Sequence, residues 1–107
     1  MNVLIVHAHP EPKSFTAALR DQAVETLQSK GHEVRVSDLY AMNWNPVASA
    51  EDFSLRENPE YLVYALEQRY NSKAQTLATD VQQELDKLLW ADLLILAGNV
   101  AIDSMGL

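Results

Sequence analysis

NVLIVHAHPEPKSFTAAL, residues 2–19, is the stretch that decides the fold. Asn2–His7 is a run of aliphatic and β-branched residues without polar alternation, which is typical of a strand buried on both faces of a parallel sheet. Pro10 and Pro12 then prevent the strand from continuing and favour an extended loop. From Ser14 onward, apolar residues recur at three- and four-residue spacing, which predicts an amphipathic helix with Ser14 as its N-cap.

The first helix is predicted to bury one apolar face and to expose its charged residues. The apolar positions at helical spacing are Phe15, Ala18, Leu19, Ala23 and Leu27. Arg20, Asp21 and Glu25 are predicted to face away from the core. Gly31 stands where a left-handed residue would end the helix.

Two more strands are predicted further along the chain. Glu33–Leu39 alternates valines with charged residues and is predicted to be a less buried edge strand. Asp92–Ala97 is again almost continuously apolar, as a central parallel strand requires. Tyr40–Pro46 has no period and is predicted to be a surface loop.

Two helices are predicted between the second and third strands. Asn58 and Pro59 match the cap and first residue of a short helix reaching Arg69. Thr79 and Gln82 match a capping box that would open a helix ending near Trp90. The alternation of strands and helices indicates right-handed βαβ units and a parallel sheet with the first strand at its centre.

Composition limits the functional classes. A chain of 107 residues has room for one domain. The formal net charge of -7 argues against nucleic acid as a partner. There is no cysteine, so neither a disulfide nor a thiolate zinc site is possible. The opening apolar run is too short for an export signal or a membrane span, which leads us to expect a cytoplasmic protein.

A phosphate site is the sharpest chemical hypothesis. His9–Thr16 follows a buried strand and opens a helix, so backbone N–H groups and the hydroxyls of Ser14 and Thr16 could converge on one phosphate. The alternative is that Ser14 only caps its helix. The chain has no G-x-G-x-x-G or Walker lysine motif, so neither a dinucleotide fingerprint nor a P-loop is predicted.

Other candidate sites are weaker. His7 and His9 lie two residues apart, but no third metal ligand is evident nearby, so no metal site is predicted. A polar and aromatic group near the second strand is assigned to loop structure rather than to binding: Asp38, Tyr40, Asn43 and Trp44. No catalytic residue can be assigned from spacing alone.

Three motifs resemble the NAD(P)H dehydrogenase (quinone) family, the DT-diaphorase-like flavoproteins. They are HAHPEPKSFTAAL (His7–Leu19), SDLYAMNWNP (Ser37–Pro46) and WADLLIL (Trp90–Leu96). The resemblance implies an α/β, flavodoxin-like, three-layer parallel sheet. It also implies an FAD whose phosphates lie in the first loop, with hydride passing from NAD(P)H through FAD to a quinone, and a homodimer. By this resemblance, the cofactor-contacting residues are His9, Ser14, Phe15 and Thr16.

The resemblance covers residues 1–96 and ends before the tail, residues 97–107. There the family has an aromatic loop that holds the flavin ring, whereas this chain reads AGNVAIDSMGL. We therefore expect the sheet to be truncated after its third strand and the chain to be a weakly active or inactive form. The alternative is a non-catalytic α/β interaction module that pairs with a full-length homologue. A receiver-like regulatory domain fits less well, because Glu11 alone does not make the acidic cluster it needs.

Overall fold

The computed structural model describes residues 1–98 of the chain. Its helices and strands are β1 (Asn2–Ala8), α1 (Phe15–Ser29), β2 (Glu33–Asp38), a short 3-10 helix (Ala50–Asp52), α2 (Tyr64–Ala74), α3 (Thr79–Trp90) and β3 (Leu93–Gly98). Ala97 and Gly98 belong to β3, and the rest of the predicted tail lies outside the described residues. No helix within this range is long and apolar enough to cross a membrane.

The three strands form one parallel sheet in the order β2-β1-β3. This arrangement confirms the predicted flavodoxin-like α/β sheet, with the first strand at the centre and the second at an edge. Val3, Leu4 and Ile5 of β1 are fully buried. Burial of each such side chain contributes roughly 1.5–3 kcal/mol to folding, so the continuous apolar run of β1 is the basis of the core.

The chain divides into two compact units, one formed by Met1–Trp44 and the chain from Lys87, the other by Asn45–Asp86. In the first unit, α1 and the end of α3 cover opposite faces of the sheet. Asp38 of β2 pairs with α1, whereas its neighbour Ser37, on the other face, accepts a hydrogen bond from Lys87 of α3 at 3.1 Å. The predicted three-layer arrangement is therefore present in this unit.

Helix α1 has the predicted ends but not the predicted face. Gly31 adopts φ 86°, the left-handed conformation expected after the last turn. Phe15, predicted to be buried, is 73% exposed, whereas Thr16 is 4% exposed and Ala17 is fully buried. The small residues at these two positions let the helix approach the sheet closely, so the helix is rotated by about one residue from the predicted face. Arg20, predicted to face solvent, is consequently half-buried.

In the second unit, the predicted helix start at Asn58 and Pro59 is wrong, because α2 begins at Tyr64. The Asn58 side-chain oxygen accepts hydrogen bonds from the N–H groups of Glu60 at 3.1 Å and Tyr61 at 3.3 Å. Asn58 therefore stabilises a turn rather than a helix start. An Asn followed by Pro is typical of both, so the sequence alone did not distinguish them.

The predicted capping box at Thr79 and Gln82 is also wrong in detail. Thr79 is the first helical residue of α3. The Gln82 side chain donates to Asp86 at 2.9 Å, one turn further along the helix. A capping box does occur at the short 3-10 helix, where Ser49 and Asp52 exchange the reciprocal bonds. The predicted helix end at Trp90 is confirmed.

Candidate functional site

The loop between β1 and α1 leaves the carboxyl end of the central strand. Strands β2 and β3 flank β1, so the loop lies where the winding of the sheet reverses. Ligands of open α/β sheets bind at this position. The fold therefore brings the predicted phosphate-binding segment to the part of the sheet where a ligand is expected.

Ser14 is the N-cap of α1, as predicted. Its Oγ accepts a hydrogen bond from the N–H of Ala17 at 3.0 Å, and its carbonyl accepts from Ala18 at 3.1 Å. The backbone of Ser14 is extended, with φ -69° and ψ 160°. Both contacts use Ser14 as an acceptor, so its hydroxyl proton stays available for donation to a ligand.

Phe15 and Thr16 form the first turn of α1. The first N–H groups of a helix have no acceptor inside the helix and carry its positive dipole end. Thr16 is buried and Phe15 is exposed, so their side chains have different surroundings although their amides lie on the same turn. The sequence analysis predicted that the Thr16 hydroxyl contacts a phosphate. Because the Thr16 side chain is buried, the backbone amide of this residue is the better candidate for that contact.

His9 lies in the loop and is half-exposed. Its Nδ1 accepts a hydrogen bond from the N–H of Glu11 at 3.0 Å. The Glu11 carboxylate in turn accepts from the N–H of Lys13 at 3.0 Å, and the Glu11 carbonyl accepts from Ser14 at 3.2 Å. The sequence analysis assigned Glu11 no role in the site, because no sequence motif indicates these hydrogen bonds.

His7 precedes this loop and is almost completely buried. Its Nδ1 has no hydrogen-bond partner within residues 1–98. Burial lowers the pKa of His7 below 6.5, and the Arg20 guanidinium lowers it further, while Asp38 acts in the opposite direction. His7 is consequently kept neutral at the end of the central strand.

The polar group near β2 has a structural role, in agreement with the sequence assignment. Asp38 accepts from the Arg20 guanidinium at 3.0 Å and from the N–H of Ala41 at 3.2 Å. Asn43 takes a left-handed conformation, with φ 53°. The sequence reading missed Arg20, which could have been found only by knowing which face of α1 meets the sheet.

A separate cleft of about 410 Å³ lies within the second unit. Its walls include Phe53, Tyr64 and Leu77, and none of the predicted site residues lines it. The Tyr64 hydroxyl donates to Asp52 at 2.5 Å, and this bond raises the pKa of Tyr64 above 10.0. The Tyr64 bond thus stabilises the cleft wall rather than leaving a reactive phenol.

The donors of the first loop match the chemistry of a phosphate group. Phosphate oxygens only accept hydrogen bonds, and the loop offers amides, the Ser14 hydroxyl and the His9 imidazole. The carboxylate of Glu11 is bonded to the N–H of Lys13. These residues therefore fit the phosphates of a nucleotide cofactor.

A family model described as the flavodoxin-like fold matches residues 1–98. The chain is 46% identical over 94 residues to ribosyldihydronicotinamide dehydrogenase (quinone) of Homo sapiens, covering 87% of this chain and 41% of that protein. It is 44% identical over 93 residues to NAD(P)H dehydrogenase (quinone) 1 of Cavia porcellus, covering 86% of this chain and 34% of that protein. The resemblance found in the sequence is thereby confirmed, and the chain spans about two fifths of the length of these relatives.

Solved structures agree with these relatives. A Klebsiella pneumoniae protein assigned as a quinone reductase superposes with a TM-score of 0.86 at 42% identity, covering 90% of this chain and 37% of that one. NAD(P)H:quinone oxidoreductase from Methanothermobacter marburgensis gives a TM-score of 0.68 at 30% identity, covering 91% of this chain and 43% of that one. The fold and the sequence thus point to the same group of proteins.

Proposed function

Since this chain belongs to the flavodoxin-like fold family, we propose that it derives from an NAD(P)H:quinone oxidoreductase and holds the phosphates of FAD in the loop from His9 to Thr16. The observation that carries the proposal is a set of hydrogen-bond donors at the start of α1, directly after the central strand. Such a helix start attracts anions through its free amides and its dipole. The similarity to quinone dehydrogenases over most of the chain supports the same assignment.

Each residue of the loop has a defined part in this proposal. The amides of Phe15 and Thr16 and the hydroxyl of Ser14 would donate to phosphate oxygens, and the ring of His9 would add a further donor from the loop. Bound FAD supplies the two-electron chemistry that links a nicotinamide to a quinone. No residue within 1–98 is assigned to hydride transfer, so the role of this part is binding and orientation.

The flavin ring needs a binding site other than the phosphate-binding loop. The family that the sequence resembles holds the ring with aromatic residues after its third strand, and this chain reads AGNVAIDSMGL from Ala97. We propose that the chain alone therefore binds FAD weakly and reduces quinones slowly or not at all. We further propose that the complete active site, as in the family that the sequence resembles, belongs to a homodimer. Its substrates are NAD(P)H and a quinone.

Flavin titration tests the phosphate site. We expect FAD to quench tryptophan fluorescence at lower concentration than riboflavin, which has the same ring but no phosphate. Ser14→Ala should weaken FAD binding, and Ser29→Ala, at the other end of α1, serves as the matched control. Equal affinities for FAD and riboflavin would contradict the proposal.

A second candidate function is an interaction module that pairs with a full-length homologue. It is favoured by β3, which has no strand partner on its outer edge within residues 1–98 and whose Leu94 and Leu96 side chains are exposed. An exposed strand edge is a template for another strand. Mixing the chain with a longer homologue and measuring the size of the product by light scattering tests this candidate, and unchanged sizes would count against it.

A further inference from the structure

Glu11 makes three hydrogen bonds that together organise the loop between β1 and α1. Its N–H donates to Nδ1 of His9 at 3.0 Å. Its carboxylate accepts from the N–H of Lys13 at 3.0 Å, and its carbonyl accepts from the N–H of Ser14 at 3.2 Å. Glu11 thus connects the ring of His9 at the start of the loop to the helix cap at its end.

The first of these bonds fixes the tautomer of His9. A backbone N–H can only donate, so the Nδ1 atom that receives it must carry a lone pair. A neutral imidazole with a lone pair on Nδ1 has its proton on Nε2. The other edge of the His9 ring is therefore a hydrogen-bond donor, whereas the opposite tautomer would present a lone pair there.

We propose that Glu11 is a positioning residue of the phosphate-binding loop, which sets His9 as an Nε2–H donor and holds its ring in the loop that precedes α1. This inference rests on the proposed function, since it supplies the donor that phosphate oxygens require. The carboxylate of Glu11 takes part through Lys13: by accepting the N–H of Lys13 it closes the turn that carries the Glu11 N–H. The negative charge of the Glu11 carboxylate is not required for this role.

Two substitutions separate the acceptor from the charge. Glu11→Gln keeps a side-chain oxygen that can accept from Lys13 and removes only the charge. Glu11→Ala removes the acceptor, while both variants keep the backbone N–H that reaches His9. Glu11 is exposed, so we expect neither variant to disturb the core. Far-ultraviolet circular dichroism is the check that each variant is folded.

The first experiment is nuclear magnetic resonance on the full chain labelled with ¹⁵N, without flavin. We expect a scalar coupling across the hydrogen bond between the Glu11 amide nitrogen and Nδ1 of His9. Two-bond nitrogen–proton correlations should show one tautomer, protonated on Nε2. A His9 ring that exchanges between both tautomers, without the coupling, would overturn the proposal.

The second experiment measures FAD affinity for the wild type and the two variants. We expect Glu11→Ala to weaken both the coupling and the binding of FAD, the latter by roughly threefold to tenfold, as loss of one ordinary hydrogen bond predicts. Glu11→Gln should stay close to the wild type in both. An affinity unchanged in Glu11→Ala, or equally weak in Glu11→Gln, would refute the positioning role.

The two proposals fail in distinguishable ways. If riboflavin binds as tightly as FAD, the proposal of a phosphate site is refuted. The positioning role of Glu11 is then refuted too, even if the scalar coupling is observed. If FAD is preferred but the coupling is absent, the phosphate site stands and only the role of Glu11 is refuted.

Discussion

His7 combines complete burial in β1 with an Nδ1 atom that has no partner within residues 1–98. The charged and titratable groups near it are Arg20 and Asp21 on α1, Asp38 on β2, and His9 on its own chain segment. Burial and Arg20 lower its pKa below 6.5 in the folded state. Well above pH 6.5 the ring is neutral in both states. As the pH falls through 6.5, the unfolded chain binds a proton at this ring while the folded chain does not.

We therefore expect the free energy of unfolding to fall as the pH decreases from about 7 toward 5, by at most about 1.4 kcal/mol per pH unit from this one proton. His7→Leu should flatten that dependence. Urea denaturation at several pH values measures it, with His32→Asn as the control histidine variant. A slope unchanged by His7→Leu would show that another group causes the acid sensitivity.

A second residue-scale prediction concerns Asn71, which is fully buried in the second unit. Its side-chain oxygen accepts from the N–H of Leu55 at 3.2 Å and from Thr76 Oγ1 at 2.7 Å. Asn71→Ala leaves these donors without an acceptor and creates a cavity, so we expect a loss of about 2–3 kcal/mol in the free energy of unfolding. Chemical denaturation measures this loss, and Asn58→Ala, at an exposed turn, should cost clearly less.

Next to Asn71, the carboxylate of Glu67 holds the loop before α2. Burial acts to raise its pKa, but the N–H groups of Asn58 and Glu57 outweigh this effect and, with Arg56, lower the pKa below 4.5. The bonds measure 3.1 Å each. Because the folded-state pKa is lowered, this contribution is present above pH 4.5 and is lost as the pH falls through the lowered value.

For the helices and strands, the sequence predicted those features that depend on residues close together in the chain. The continuous apolar run identified β1, and the Ser14 cap and Gly31 marked the ends of α1 because their signals are local. The face of α1 depends on how closely the helix docks, which no periodicity gives. The hydrogen bond from Arg20 to Asp38 was missed for the same reason. The bonds of Glu11 join residues only two or three apart, but no sequence motif indicates them. The cofactor contacts of His9, Ser14, Phe15 and Thr16 stay a prediction.

Two helix ends give a matched pair of predictions. Gln75, the C-cap of α2, has φ 59°, a left-handed conformation that costs a side-chain residue about 1 kcal/mol. Gln75→Gly should therefore stabilise the protein by up to about 1 kcal/mol. Gly31→Ala should destabilise it by about the same amount, because the residue has φ 86° and its added Cβ meets no atom within 4 Å. Thermal unfolding of both variants measures the difference, and shifts of the same sign would contradict this account.

At the scale of the molecule, the outer edge of β3 is one of the two sheet edges that residues 1–98 leave unpaired, the other being that of β2. Within residues 1–98, β3 pairs only with β1. Leu96 is 67% exposed, and the strand Leu93–Gly98 carries no charged residue that would oppose pairing with another strand. Natural edge strands are commonly protected by lysine or proline. The net charge of -7 opposes association only weakly at physiological salt, since the Debye length is then about 8 Å.

We therefore expect the chain to self-associate as its concentration rises, and Leu96→Lys to suppress this by placing a charge on the outer strand. Sedimentation velocity over a range of concentrations measures the effect. Leu89→Lys is the matched control, because Leu89 is 85% exposed on helix α3 and changes the charge equally without touching the strand. If Leu89→Lys suppresses association as strongly as Leu96→Lys, the contact is a general apolar one. Selective suppression by Leu96→Lys places the contact at β3, the strand through which an interaction module would bind a longer homologue.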